Sequence, residues 1–284
     1  PMIPVFGWQS VFIVGAALTV LMLLISWRFL PESLDYLLTR RPENALPKVN
    51  GILAKIGRPA LAGLPALPAA VRQQGAVAEI LSRPTRFRTL ALWIGYACLV
   101  AAYYFANTWT PKIVAGASGD DSLGVTIGVI ANAGGIAGCF IFSALAIKFR
   151  SRPLLVWALS LAAAAYLLFG LVFTQISAAV VVALFLGILT TAGIAGFYAV
   201  APDVYTARAR ATGIGWMIGL GRLVSIVAPI LVGYLISGGW QPERIFFLFA
   251  IPLVASALCI VALGISAKRS GPALPASAVA SAAA

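Results

Sequence analysis

ATGIGWMIGLGRLVSIVAPILVGYLIS, residues 211–237, holds a single charged side chain, Arg222, in twenty-seven positions. A membrane-spanning helix needs about 20 mostly apolar residues, so this run reads as a span rather than as the core helix of a soluble domain. Arg222 lies eleven residues into the run. At about 1.5 Å of rise per residue that is close to the bilayer midplane. A guanidinium at such depth costs at least about 2.5 kcal/mol and is tolerated where it faces a bundle interior or water. Two readings stand. Arg222 binds an anionic substrate or pairs with a carboxylate; or it pairs structurally with helix-end carbonyls, or its span is displaced enough for the side chain to snorkel. The glycines around it do not make a nucleotide loop, which requires a strand before and a helix after. Gly215 and Gly219 instead have the spacing that lets a neighbouring helix approach closely, as do Gly134 and Gly138 further up the chain.

The rest of the sequence repeats the pattern. Approximate runs Trp8–Phe29, Thr89–Val114, Leu123–Ile147, Pro153–Phe173, Ala178–Ala201 and Ile245–Ser266 join Ala211–Ser237 to make seven spans. Composition agrees: 61% hydrophobic, 10% charged and a mean hydropathy of +0.99. A soluble fold carries about a quarter of its residues as charges, so the excess apolar surface faces lipid. Cys98, Cys139 and Cys259 sit inside apolar runs and read as small core residues. The sequence has no histidine, which excludes a histidine-based zinc site and a Ser-His-Asp triad; no cofactor and no metal are expected. The first run lacks a basic leader and a small-residue cleavage site, and does not read as a signal peptide.

Net charge is +12, yet the basic residues fall in connections between spans rather than in an aromatic-interleaved patch, so no nucleic-acid partner is expected. Ten lie between Arg28 and Arg88; Lys148, Arg150 and Arg152 follow the third run, Arg208 and Arg210 the fifth, and Lys268 and Arg269 the last. The alternate connections hold only Lys112 and Arg244. A split of 17 against 2 sets the orientation: the long loop and the C-terminus are expected in the cytoplasm and the N-terminus outside. The expected organisation is one transmembrane helix over residues 1–29, a central cytoplasmic loop over 30–88, a six-helix bundle over 89–266 and a disordered tail over 267–284. Within the loop, Glu43–Ile56 reads as an amphipathic surface helix and Pro59–Pro68 as irregular. One helix, a linker and six helices form an unbalanced plan, and six helices on one side invite a matching set.

Polar residues inside spans are the other signal. Tyr96, Tyr103 and Asn107 stand at i, i+7 and i+11, within about 20° of one helix face. That face points into the bundle or a cavity, to line a pathway or to hydrogen-bond between helices. Asn132, and Thr191 with Tyr198, are weaker versions of the same pattern. Trp109 and Trp240 read as interface anchors. The eight acidic residues all lie outside mid-span positions, so the chain offers no deep carboxylate as a proton relay, with Asp203 at a helix end the nearest.

These residues resemble the back part of a major facilitator superfamily transporter, and most closely its aromatic acid:proton symporter branch. Gly7-Trp-Gln-Ser-Val-Phe12, an apolar helix and Leu30-Pro-Glu-Ser33 are similar to that family's sixth helix and its exit; Tyr103-Tyr-Phe with Trp109-Thr-Pro111 resembles the end of the seventh. Arg208-Ala-Arg-Ala-Thr-Gly-Ile-Gly-Trp216 with Gly221-Arg222 resembles the junction into the eleventh helix and is the most branch-specific piece. The likeness implies an all-α membrane fold, a C-terminal six-helix bundle preceded by helix six, in the inner (plasma) membrane. It implies no enzyme but proton-coupled import of an aromatic or other organic carboxylate, with a small organic anion, protons, the lipid bilayer and the missing N-terminal helices as partners. By the same match Arg222 falls on a position used in binding or coupling, and Lys148, Arg150, Arg152, Arg208 and Arg210 on the cytoplasmic gate. One departure bears on that gate: Ile147 stands where the superfamily usually has an acidic residue, so a latching charge contact is missing. A sugar or other organic-ion porter, a non-transporting truncated remnant and a membrane enzyme are the alternatives; a mid-span arginine favours an anion over a neutral sugar.

Overall fold

The computed structural model describes residues 6–7, 9–30, 32, 34–64, 76–83 and 85–269. Trp8, Pro31, Ser33, residues 65–68 of the expected irregular stretch, and the tail from 270 onward lie outside the described residues. No strand occurs among the described residues, as an all-α fold requires. The helices are α1 (Gln9–Phe29), α2 (Leu34–Arg40), α3 (Ala45–Lys55), α4 (Ala76–Ile80), α5 (Arg86–Ser118), α6 (Asp121–Lys148), α7 (Ser151–Val172), α8 (Ile176–Val200), α9 (Ala207–Ser237) and α10 (Pro242–Arg269), with a 3₁₀ turn at Ala201–Val204. Seven of these, α1 and α5 to α10, are long and apolar enough to cross a membrane.

Two compact units divide the chain, residues 1–73 and 74–284. In the first, α1 is apolar on every side and has no buried residue, the signature of a helix suited to lipid or to other helices rather than to one amphipathic seam. Helices α2 and α3 pack together. The Asn50 side chain both donates to the Leu61 carbonyl (3.0 Å) and accepts from the Leu61 amide (2.8 Å), fixing the chain after α3.

In the second unit α5 is the hub, packing on α6, α8, α9 and α10, while α7 and α8 close the remaining sides. Two kinds of packing hold it. Between α5, α7 and α10 the filler is aromatic: Phe105 stacks on Phe249 at 4.4 Å and meets Phe246 edge-on at 4.8 Å, and the buried Tyr166 hydroxyl donates to the Ala102 carbonyl at 2.6 Å. Between α6 and α8 the backbones touch. A Cβ on Gly134 would meet the Leu184 carbonyl at 2.5 Å, and one on Gly138 or Gly187 would strike the Ile188 or Ala131 carbonyl. Gly134 and Gly138 thus perform the close approach that their spacing implies. Gly215 and Gly219 do not pack in this way: nothing described comes within 4 Å of a Cβ on either.

Local chemistry sets the turns. Gly119 takes a left-handed φ of 71° that ends α5, a conformation glycine adopts without steric cost. Asp120 then caps α6 by accepting the Ser122 amide at 2.8 Å, and Thr206 caps α9 from the Ala209 amide. At the end of the bundle that carries these basic connections, Arg88 donates to the Ser266 carbonyl at 3.2 Å. Thr206 donates to the Glu79 carboxylate at 2.5 Å, tying α4 to the start of α9.

Candidate functional site

Arg222 is the middle residue of α9, fifteen positions from either end of a helix of 31 residues. Fifteen residues rise about 22 Å, well beyond the reach of a side chain to either helix end. The α5–α9 seam that carries it is pinned on both sides by indole donors: Trp93 Nε1 to the Gly213 carbonyl at 3.0 Å and Trp109 Nε1 to the Pro229 carbonyl at 3.1 Å. Between those pins Gly221 lies flat against Tyr96, where a Cβ would come within 2.6 Å of the ring. The Arg222 side chain itself is exposed. Its Nη1 donates to the Tyr104 hydroxyl at 2.8 Å.

The predicted residues separate into two neighbouring groups. Tyr96 and Tyr198 share a hydroxyl–hydroxyl hydrogen bond of 3.0 Å between α5 and α8, beside the Arg222–Tyr104 pair. Tyr103, Asn107, Asn132 and Thr191 instead line a half-open cavity of about 230 Å³ between α5, α6 and α8. The ring of Tyr103 meets that of Tyr104 edge-on at 5.3 Å, so the cavity and the arginine share a tyrosine border. Asn132 spends its amide on the Gly128 carbonyl of its own helix, at 2.8 Å.

Four polar residues in or beside the cavity were missed in the sequence. Tyr104 follows Tyr96 by eight positions and so lies about 80° off the stripe that singled out Tyr103 and Asn107; the doublet Tyr103-Tyr104 was the available signal. Tyr104 stands beside the cavity, against Tyr103, while Thr110, Cys139 and Thr190 line it. Thr110 is 3% exposed and its hydroxyl has no partner among the described residues. A buried hydroxyl without a partner costs about 1–3 kcal/mol, which marks the place where a bound polar group would be stabilising.

The five basic residues expected at a gate lie at the basic end. Lys148 and Arg150 are exposed, Arg152 is half-buried, and Arg150 and Arg152 face a separate cavity with Asp203. Arg210 is half-buried with no hydrogen-bond partner for its Nε among the described residues; the Arg208 side chain lies outside those described. Ile147, in the place of the usual acidic residue, is 89% exposed.

Apolar spans around a small, mostly apolar cavity edged by a few polar side chains, with a cation at the middle of one helix, define the class: a multi-pass membrane protein. The chain belongs to the Major Facilitator Superfamily, whose model matches residues 2–183 and 140–282. It is a relative of transporters for aromatic acids and, with that membership, not an enzyme. It is 27% identical to a gallate transporter of Pseudomonas putida over 97% of this chain and 61% of that one. Against a niacin transporter of Acinetobacter baylyi it is 30% identical over 92% and 60%, and against a 4-hydroxybenzoate transporter of Pseudomonas putida 23% over 93% and 59%. The chain therefore spans about three fifths of the length of these relatives.

Proposed function

We propose that this chain supplies helix six and the C-terminal bundle of a proton-coupled importer of an aromatic carboxylate. The observation that carries the reading is the exposed guanidinium of Arg222, held by Tyr104 at mid-helix, near a cavity in which the buried Thr110 hydroxyl has no partner among the described residues. A lone mid-membrane cation is stable beside a wet, anion-receptive cleft, and family transporters bind substrate between two halves near the midplane. Arg222 and Tyr104 take the carboxylate; Tyr103 contacts the ring; Asn107, Asn132, Thr191 and Thr110 meet polar substituents. Tyr96 and Tyr198 brace that wall. The names of the relatives, gallate and 4-hydroxybenzoate among them, support this substrate class.

Charge distribution supports the orientation, with the basic end, the long loop and the C-terminus in the cytoplasm and the N-terminus outside, in the inner membrane. Lys148, Arg150, Arg152, Arg208 and Arg210 then lie at the cytoplasmic gate. Protons couple through carboxylates of the other half, since none of this chain's lies at mid-span.

Binding of radiolabelled 4-hydroxybenzoate to the solubilised chain, competed with unlabelled benzoate and benzamide, tests the reading. Benzoate should compete and the neutral amide should not. Arg222→Gln should weaken binding by about ten- to a hundredfold, the range for a hydrogen bond to a charged group. Equal competition by the amide, or unchanged affinity in the variant, removes the carboxylate assignment.

A further inference from the structure

At the basic end a second cavity, of about 860 Å³, opens between the α6–α7 connection, the Ala201–Val204 turn and the end of α10. Arg150, Arg152 and Asp203 supply its charge, while Phe149, Val261 and Ile265 supply an apolar wall. Among the described residues neither arginine forms an ion pair. The Arg150 side chain takes no part in capping α7, although the residue begins that helix.

The apolar wall continues out of the cavity. Val254, Leu258, Val261 and Ile265 are all exposed, and their i, i+4, i+7, i+11 spacing puts them on one face of α10. Eleven residues of helix rise about 16 Å, close to half the thickness of a bilayer's hydrocarbon core. An arginine-lined cavity at one end of an exposed apolar track of that length matches an amphiphile with an anionic head and a hydrocarbon tail.

We propose that this cavity seats the phosphate diester of an anionic glycerophospholipid, with one acyl chain along the exposed face of α10. Two guanidiniums present paired N–H donors to the phosphate oxygens. Asp203 selects among phosphates: its carboxylate repels a free dianion but accepts hydrogen bonds from the hydroxyls of a phosphoglycerol head. The lipid would hold the basic end against the leaflet rich in anionic lipid. No residue lining this cavity lines the Tyr103–Asn107 cavity, so the two sites are separable by mutation.

Native mass spectrometry of the detergent-solubilised full chain, titrated with phosphatidylglycerol or phosphatidylcholine of the same acyl chains, tests the proposal. The chain should retain phosphatidylglycerol in preference. The double variant Arg150→Gln/Arg152→Gln should lose about twenty-five-fold in affinity, at about fivefold for each arginine near an anionic lipid. Arg58→Gln, a basic residue elsewhere, should lose nothing. Arg150→Gln alone, an exposed position whose change leaves the fold intact, should show the single fivefold step. Equal retention of the two lipids, full retention by the arginine variants, or displacement of the lipid by millimolar inorganic phosphate would each overturn the proposal, the last by assigning the cavity to a soluble anion.

Discussion

Tyr104 is the side chain that holds the mid-helix cation of α9. Its hydroxyl accepts from Arg222 across the α5–α9 seam, so the guanidinium is oriented before any ligand arrives, and orientation in advance lowers the cost of binding. Tyr104→Phe removes that acceptor and keeps the ring. Affinity for 4-hydroxybenzoate should fall by about three- to tenfold, the worth of a net hydrogen bond of about 1 kcal/mol, with helix content by circular dichroism unchanged. An unaltered affinity would mean that Arg222 needs no holding. Asp120 shows a residue whose effect depends on pH. Hydrogen bonds from Ser122, side chain and backbone, hold its carboxyl below the ordinary carboxylate range. A depressed folded value means that the cap is worth its full amount above the unfolded value of about 3.9. That contribution is lost as pH falls through the folded value. The difference in Tm between the chain and Asp120→Ala should therefore be constant from pH 7 to pH 5 and shrink in melts below about pH 4. A difference that widens in acid contradicts the cap.

Helix pairs carry the next level of argument, and glycine distinguishes two of them. On α8, Gly187 lies against the Ala131 carbonyl of α6, with no flexible side chain to yield. Gly187→Ala should destabilise the chain by about 1–3 kcal/mol, the cost of overpacking a tight contact, read as a lowered Tm in detergent. Gly219 on α9 has nothing within 4 Å among the described residues. Gly219→Ala should be neutral or raise stability by up to about 1 kcal/mol, since alanine is the better helix former. Equal losses at both positions would mean that α9 is packed on that face as tightly as α6 is on α8. Gly134 with Gly138, on the α6 side of that contact, and Gly215 with Gly219 have the same four-residue spacing in the sequence, and their surroundings alone separate them.

For the molecule as a whole, the polar and small face of α9 has a functional consequence. Alternating access requires two bundles that rock about a site between them, and this chain folds one six-helix bundle with Arg222, Gly215 and Gly219 exposed on it. Vesicles holding only this chain should take up no labelled aromatic acid above the background of empty vesicles, with or without a pH gradient. Uptake abolished by a protonophore would refute that. Much of this level was already legible in the residues: seven apolar runs of sufficient length and the place of Arg222 at the middle of one of them follow from hydropathy and a fixed rise per residue, which act locally along the chain. The grouping of side chains was not legible. Helical periodicity placed Tyr96, Tyr103 and Asn107 on one stripe, yet Tyr96 pairs with Tyr198 while the other two line a cavity. It passed over Tyr104, whose importance comes from α9 crossing beside it. Sequence alone determined seven runs long and apolar enough to cross a membrane and which connections are basic, because a bilayer admits long apolar helices and little else. Tertiary structure decided which tyrosine meets the arginine and which glycines are touched, because those contacts depend on how separate helices approach one another.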